Sequence, residues 1–288
     1  MNYKLDVELS EALEPYRKEI EATIEPYIKI ELTDRDRPTW WQSKFGGLPY
    51  MPKDFEYPKS NDGSYLYLLA QINFAEVSKL EGLPERGILQ FYIAADEDFY
   101  GCNFDNPFDR DKFRVIYFSE VDLETKNLLT DFGFLPELKS EDLLLPFEGC
   151  CAVKFSFDTA PIGAADYQFS FFNLWDENNE ADGKFEEYWD KFDAAGHKLL
   201  GYPCFTQSDP RPDFSEDEPY ILLFQIDSDA NNNGFEIIWG DNGIANFFIK
   251  RLRSAYPSGT PNSPKEVARV CLIIAESRGC CCQKSVNI

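Results

Sequence analysis

Histidine is nearly missing from this sequence, which carries only His197 in 288 residues. A Ser-His or Cys-His nucleophile would have to use that one residue as its base. His197 lies in Ala195-Gly196-His197-Lys198, just ahead of a Gly-x-Pro turn, where a solvent-facing or helix-ending position is expected. Zinc ligands are equally scarce: no CxxC pair occurs, and Cys280, Cys281 and Cys282 are too tightly adjacent to share a tetrahedral ion. Basic residues are few, 28 Lys and Arg against 51 Asp and Glu, for a net charge of −23 and a pI near 4.4. A phosphate backbone is therefore repelled, and nucleic acid is not an expected partner. No GxxxxGK[ST] or GxGxxG motif occurs, so no nucleotide cofactor is called for, nor any other cofactor. Also absent are a run of about 18 apolar residues and the basic-then-apolar pattern of a secretory leader. The expected compartment is the cytoplasm, without membrane attachment.

What is present is aromatic and acidic. Phe 25, Tyr 15 and Trp 5 make 16% of the chain and hydrophobic residues 43%, enough for a folded protein with a sizeable core. The excess of acid reads as a solvated surface, or as an attraction for a basic partner. Residues 8–28 carry Leu9, Leu13, Tyr16, Ile20, Ile24 and Tyr27 at helical spacing, with Pro15 kinking the run. Further helices are expected near 120–130 and 184–195. Strand-like segments rich in aromatic and β-branched residues fall at 65–74, 87–94, 113–118, 151–157, 167–172, 220–228, 235–239 and 243–250. The fold class is α+β and β-rich.

These segments repeat. Gly47 in Lys44-Phe45-Gly46-Gly47-Leu48-Pro49 has its echo at Gly201 in Lys198-Leu199-Leu200-Gly201-Tyr202-Pro203, 154 positions later, and Gln71 in Leu69-Ala70-Gln71-Ile72 has Gln225 at the same offset. Gly87-Ile88-Leu89-Gln90-Phe91 returns as Gly243-Ile244-Ala245-Asn246-Phe247, at 156. Two copies of a unit that cannot bury its apolar face alone are natural partners. The chain thus reads as one domain over residues 1–250, an internally duplicated pseudo-two-fold sheet scaffold with a few flanking helices, its halves near 40–95 and 195–250.

Ser43-Lys44-Phe45-Gly46-Gly47-Leu48-Pro49-Tyr50-Met51-Pro52, Gln207-Ser208-Asp209-Pro210-Arg211 and Trp239-Gly240-Asp241-Asn242-Gly243, with the repeated strands, resemble the YwqG-like family. It is a bacterial domain of unknown function. The resemblance spans roughly residues 10–250 and implies a fold; it carries over no catalytic residue. It stops after Lys250, where residues 251–288 turn basic and hold half of the cysteines. That atypical tail, reading as a shifted frame or a recombined end, is expected to be poorly packed and dispensable.

Polar residues inside the apolar strands are the candidate ligand-binding groups. Gln71 with Asn73, and Gln225 with Asp227, fall two apart and project from one face of their strands. Gln207, Asp209 and Arg211 from the second-half loop, with Trp239 and Asp241, complete an expected polar cleft between the copies, suited to a neutral or cationic small molecule or a peptide. The other expectation for these groups is that they satisfy one another and the backbone. Asp227-x-Asp229-x-Asn231 lacks the Gly and Glu of a calcium loop and reads as a polar hairpin turn. Asp105, Asp109 and Asp111 read as a solvated loop, and Gly46-Gly47 beside Lys44 as a tight turn. No catalytic residue or metal ligand is assigned. The leading reading is a binding or interaction protein for a small molecule, peptide or basic protein. The alternatives are a carboxylate-based hydrolase, for which Trp40 and Trp41 would suit a sugar platform, or an immunity-type protein that neutralises a basic toxin.

Overall fold

A computed structural model describes residues 3–95, 99–135, 143–171, 183–213, 220–250, 265–267 and 270–275. Its elements in chain order are α1 (Arg17–Ala22), β1 (Glu25–Leu32), β2 (Lys44–Gly46), β3 (Tyr67–Asn73), β4 (Ile88–Ile93), β5 (Phe113–Phe118), β6 (Cys150–Ala160), α2 (Lys184–Lys191), β7 (His197–Leu199), β8 (Tyr220–Asp227), β9 (Asp229–Ala230), β10 (Glu236–Ile237), β11 (Ile244–Lys250), β12 (Lys265–Glu266) and β13 (Val270–Ala275). Eleven strands form one antiparallel sheet in the order β12-β5-β4-β3-β2-β6-β1-β7-β8-β11-β13, while β9 and β10 make a separate hairpin. The fold is β-rich, with two short α-helices among the described residues.

The sheet coils around an aromatic centre. Phe91 on β4 lies 4.6 Å, centroid to centroid, from Phe224 on β8 and 4.8 Å from Phe247 on β11. These strands stand far apart in the sheet order, so their inner faces oppose one another across the core. Phe45 and Phe113 join the same cluster. The two end strands, β12 and β13, are consecutive in sequence, separated by residues 267–269 alone. A link of four peptide steps spans at most about 14 Å, so the sheet curls until its ends nearly meet. Both β3 and β4 are buried along their whole length because a second apolar layer, with Tyr50, Tyr57, Leu128 and Phe132, covers their outer face. That explains why they read as continuous apolar runs instead of alternating ones.

The pairings recur between the flanks of the sheet. Lys44 faces Gln71 and Gln71 faces Gln90; Lys198 faces Gln225 and Gln225 faces Asn246. A β-bulge steps over Leu69 between β3 and β4, and another steps over Leu223 between β8 and β11. Between the two flanks lie β6 and β1, paired over eight residues from Glu25↔Ala160 to Leu32↔Val153.

Several expectations are corrected. Only Arg17–Ala22 of the 8–28 segment is α-helical, after a 3-10 turn at Glu14–Tyr16 that takes Pro15 at its start. The helix gives way to β1, whose Ile28 and Ile30 alternate inward at strand period. The segment near 120–130 holds a 3-10 turn, Thr125–Asn127, and 167–172 is 3-10 at Tyr167–Phe171 instead of strand. The tail is not loosely attached where it is described: β13 pairs with β11 from Ile244↔Ala275 to Ile249↔Val270, and Val267, Val270, Cys271, Leu272 and Ile274 are buried. Cys280, Cys281 and Cys282 lie outside the described residues.

Candidate functional site

Each buried glutamine anchors the loop in front of its own strand. Gln71 accepts the Tyr50 N–H at 2.7 Å and donates to the carbonyls of Trp40 and Gln42, both at 2.8 Å. Gln225 accepts the Cys204 N–H at 2.8 Å and donates to Ala194 at 3.0 Å and Gly196 at 2.7 Å. All three partners of Gln225 lie 154 positions after those of Gln71. Burying an amide without partners costs on the order of 1–3 kcal/mol, and here each amide is used fully to hold irregular backbone in place.

One step further along each strand the parallel continues with different chemistry. The Asn73 N–H donates to Ser43 Oγ at 2.8 Å, and the Asp227 N–H donates to His197 Nδ1 at 2.9 Å. Asn73 also donates from Nδ2 to Trp41, and Asp227 accepts the Gly196 N–H at 2.7 Å. Among the described residues no hydrogen bond joins Gln71 or Asn73 to Gln225 or Asp227. Asp227 is pushed above the ordinary carboxylate value by burial, an effect the Gly196 amide opposes.

The remaining candidates fall in two other places. Arg211 is buried and donates to Asp166 Oδ2 and Asp209 Oδ2, both at 2.5 Å, beneath the Tyr167 ring. Asp209 also accepts the Tyr167 N–H, so this cluster ties the 162–169 segment to the turn before β8. Gln207 is exposed in that same turn. Trp239 is buried with its ring 5.0 Å from Tyr100, and Asp241 is exposed between β10 and β11.

A groove lies beside Asp227, between the end of β1 and the β9–β10 hairpin. It has a volume of about 370 Å³, and Glu31, Asp34, His197, Asp229 and Asn232 are among its lining residues. The Asp227–Asn231 run is the polar turn expected: Asn231 Oδ1 accepts the N–H groups of Asn233 and Phe235, closing the hairpin, while its Nδ2 donates to Thr33 at 2.8 Å. That bond pins the hairpin to the end of β1. Lys29 and Lys154 approach Glu31 at 3.7 and 3.6 Å, while Asp34 and Asp229 are exposed.

His197 forms the floor. It does not face solvent or end a helix: it opens β7, is 3% exposed, and packs edge-on against Phe45 at 5.1 Å. Its buried Nε2 lies 3.2 Å from Asp229 Oδ2, and the imidazole beside it holds Asp229 below the usual carboxylate range. The sequence signal for this site was only the isolation of the histidine; burial of a polar residue at the start of a three-residue strand is a tertiary effect. Among the described residues no three His, Cys, Asp or Glu side chains are placed to hold a metal ion.

The geometry defines a β-rich domain whose buried polar side chains brace loops, with an acidic groove beside that bracing. A family model matches residues 43–254, and the chain belongs to that family, described as Domain of unknown function (DUF1963). A comparison with curated proteins gives no match. The matched span leaves out β1, β12 and β13, so one wall of the groove and both end strands of the sheet come from residues beyond it. Among the described residues no helix is long and apolar enough to cross a membrane.

Proposed function

We propose that this chain is a binding protein on a duplicated, YwqG-like scaffold, and that its groove beside His197 takes a cationic small molecule or the end of a peptide. The matched bulges and the 154-position correspondence of loop anchors support descent of the two flanks from one unit, arranged about a pseudo-two-fold axis within a single domain. The observation that carries the binding reading is the groove itself, about 370 Å³ in volume, with the exposed carboxylates of Asp34 and Asp229 on its walls. Asp34 and Asp229 bias the groove toward cations. The test uses the single histidine: in protein labelled with 15N-histidine, cationic metabolites are screened for movement of the one imidazole signal. A hit whose affinity falls about tenfold in Asp229→Asn supports the reading. Hits that leave the imidazole unmoved, or that ignore Asp229→Asn, overturn it.

A further inference from the structure

The geometry points to a second interaction surface: two copies of this chain associate through the outer edge of β6, antiparallel and about a two-fold axis at Ser156. β6 pairs with β1 over residues 153–160 but with β2 only over residues 150–152. Backbone groups alternate in direction along a strand. Ala152 turns toward the β1 side, since its carbonyl accepts the Thr33 N–H at 3.0 Å and its N–H donates to Arg35 at 2.8 Å, whereas the Val153 N–H donates to Ser43 on the β2 side. Lys154, Ser156 and Asp158 therefore aim their backbone groups at β1, and Phe155, Phe157 and Thr159 aim theirs outward. The Thr159 N–H is taken by Asp158 Oδ1 at 2.7 Å. Among the described residues no strand lies beyond Phe155 and Phe157, and Ser156, Phe157 and Asp158 are exposed in succession, so the edge is open on both faces. Unpaired backbone groups beside an exposed aromatic are a template for another strand.

The edge is complementary to itself. With Ser156 set opposite Ser156 of a second copy, Phe155 falls opposite Phe157 and Lys154 opposite Asp158, each pair occurring twice. The two Phe155–Phe157 pairs are the hydrogen-bonded ones, so the outward N–H and carbonyl of both residues are used in each copy. Phe155 and Phe157 share the face of Ile30 and Ile28, their partners on β1. Phe157 is 47% exposed and Phe155 half-buried, and the pairing lays each Phe157 beside Phe155 of the other copy. On the opposite face Lys154 and Asp158 are both exposed; Lys154 stands 3.6 Å from Glu31, and Asp158 Oδ2 accepts the Tyr27 hydroxyl at 3.1 Å. A slide of the register to either side sets Ser156 against Lys154 or against Asp158, and both charge pairs are lost. A net charge of −23 repels a second copy as a whole. The two Lys154–Asp158 pairs offset that repulsion at the axis and select one register.

The test is a charge exchange across the axis, read by sedimentation velocity of the full chain from micromolar to millimolar concentration. The wild type should show a reversible equilibrium between monomer and dimer. Lys154→Asp sets acid against acid in both charge pairs, and Asp158→Lys sets base against base, so each variant alone should dimerise at least about tenfold more weakly. An equimolar mixture of the two variants should recover the dimer, because one copy then carries acids at both positions and the other carries bases. Both positions are exposed, and a thermal melt of each variant confirms that the fold is kept. Ser156→Cys provides a second readout that does not depend on charge: its thiols would face each other across the axis with Cβ atoms about 4.5–5.5 Å apart, close to the span of a disulfide. Mild oxidation should then yield more covalent dimer than the wild type gives. Lys154→Cys is the control, since its two thiols would lie about 13 Å apart along the strand. A chain that is monomeric at every concentration overturns the proposal and leaves the edge to a strand of another protein. A dimer that both charge variants leave intact, a mixture that stays monomeric, or Ser156→Cys that cross-links no better than Lys154→Cys also overturns it.

Discussion

Gln90 Nε2 donates to Gln71 Oε1 at 2.8 Å across the β3–β4 pair, and the same nitrogen donates to the Tyr50 carbonyl at 2.7 Å. The two amides thus form a single lattice with the 40–50 loop, and Tyr92 closes it by donating its hydroxyl to Gln90 Oε1 at 2.9 Å. Removing one member strands several others. Gln71→Ala is expected to cost about 3 kcal/mol or more in urea unfolding, because it leaves the Tyr50 N–H and two carbonyls without this partner. A loss under about 1 kcal/mol would mean that water replaces the amide.

The second lattice lacks its last bond. Asn246 donates to the Cys204 carbonyl at 3.0 Å, but its Oδ1 is buried without a partner, and the residue two places on, equivalent to Tyr92, is Phe248. Phe248→Tyr places a hydroxyl where the first half has one. A gain of about 1 kcal/mol is expected by denaturant titration; a destabilised variant would show that no room exists between Asn246 and the ring.

Two lysines at equivalent places give the protein an alkaline signature. Lys44 and Lys198 are 3% and 4% exposed, and burial pulls both from the ordinary 10.5 down to about 8. Their Nζ atoms are met by backbone carbonyls, Thr39 and Trp40 for Lys44, Ala194 and Tyr202 for Lys198. Below pH 8 both folded and unfolded chains hold the protons. Between 8 and 10.5 the unfolded chain holds more, so stability rises with pH. The two lysines contribute a rise in unfolding free energy of roughly 1–2 kcal/mol each between pH 7.5 and 9.5, while the Cys150 and Cys204 thiols, which burial pushes up to about 11 and about 12, act in the opposite sense because the unfolded chain ionises first. Lys44→Met should therefore lower the change over that range by roughly 1–2 kcal/mol relative to the wild type; an unchanged difference would show the Lys44 ammonium to be fully solvated.

The described part of the tail belongs to the core. Val270, Cys271, Leu272 and Ile274 are buried on both faces of β13, and burying four such side chains contributes about 6–12 kcal/mol, comparable with the whole stability of about 5–15 kcal/mol of an ordinary domain. A chain ending at Lys250 should show no cooperative thermal transition. Leu272→Ala in the full chain should cost about 2–5 kcal/mol. A truncated chain that melts normally would show β13 to be an accessory strand.

Ala194 adopts φ 57°, in the left-handed region that favours glycine, while its carbonyl serves both Gln225 and Lys198. Ala194→Gly is expected to stabilise the fold by about 0.5–1 kcal/mol by releasing that strain, with chemical denaturation as the measure. No gain would mean that the added freedom of the unfolded chain offsets the relief.

The long strands were legible because they are rich in aromatic and β-branched residues and are bounded by turn residues: Phe113–Phe118 falls where the sequence places it. The glutamine pairs stood out as polar breaks in apolar runs, and their offset foretold matching registers. What escaped were β2 and β7, three residues each, whose pairing is set by their neighbours and not by local propensity. β1 was hidden inside a helical pattern because Tyr27 fits both periods. Leu200 gives no hint that it occupies the left-handed region at φ 62°, where the first half has Gly46 at 68°. The groove was invisible because its walls come from residues 31–34 and 229–232, distant in sequence and joined by bonds from Asn231 to Thr33 and from Asn233 to Asp34.

The strand next to the middle of the sheet, β1, is the first of the described strands in the chain, and this sets an order of events for folding. Ile28 pairs with Phe157 and Ile30 with His197, about 130 and about 170 positions away. Two meanders, β2 to β5 and β7 to β11, form from near neighbours, whereas β1 pairs only with β6 and β7, both distant in the chain. Loop-closure entropy and high contact order then make the arrival of β1 the slow step. In a pulsed hydrogen-exchange refolding experiment, the amides of Gln71 and Gln225 should gain protection before those of Ile28 and Ile30; the reverse order would show that β1 templates the sheet instead of joining its two halves last.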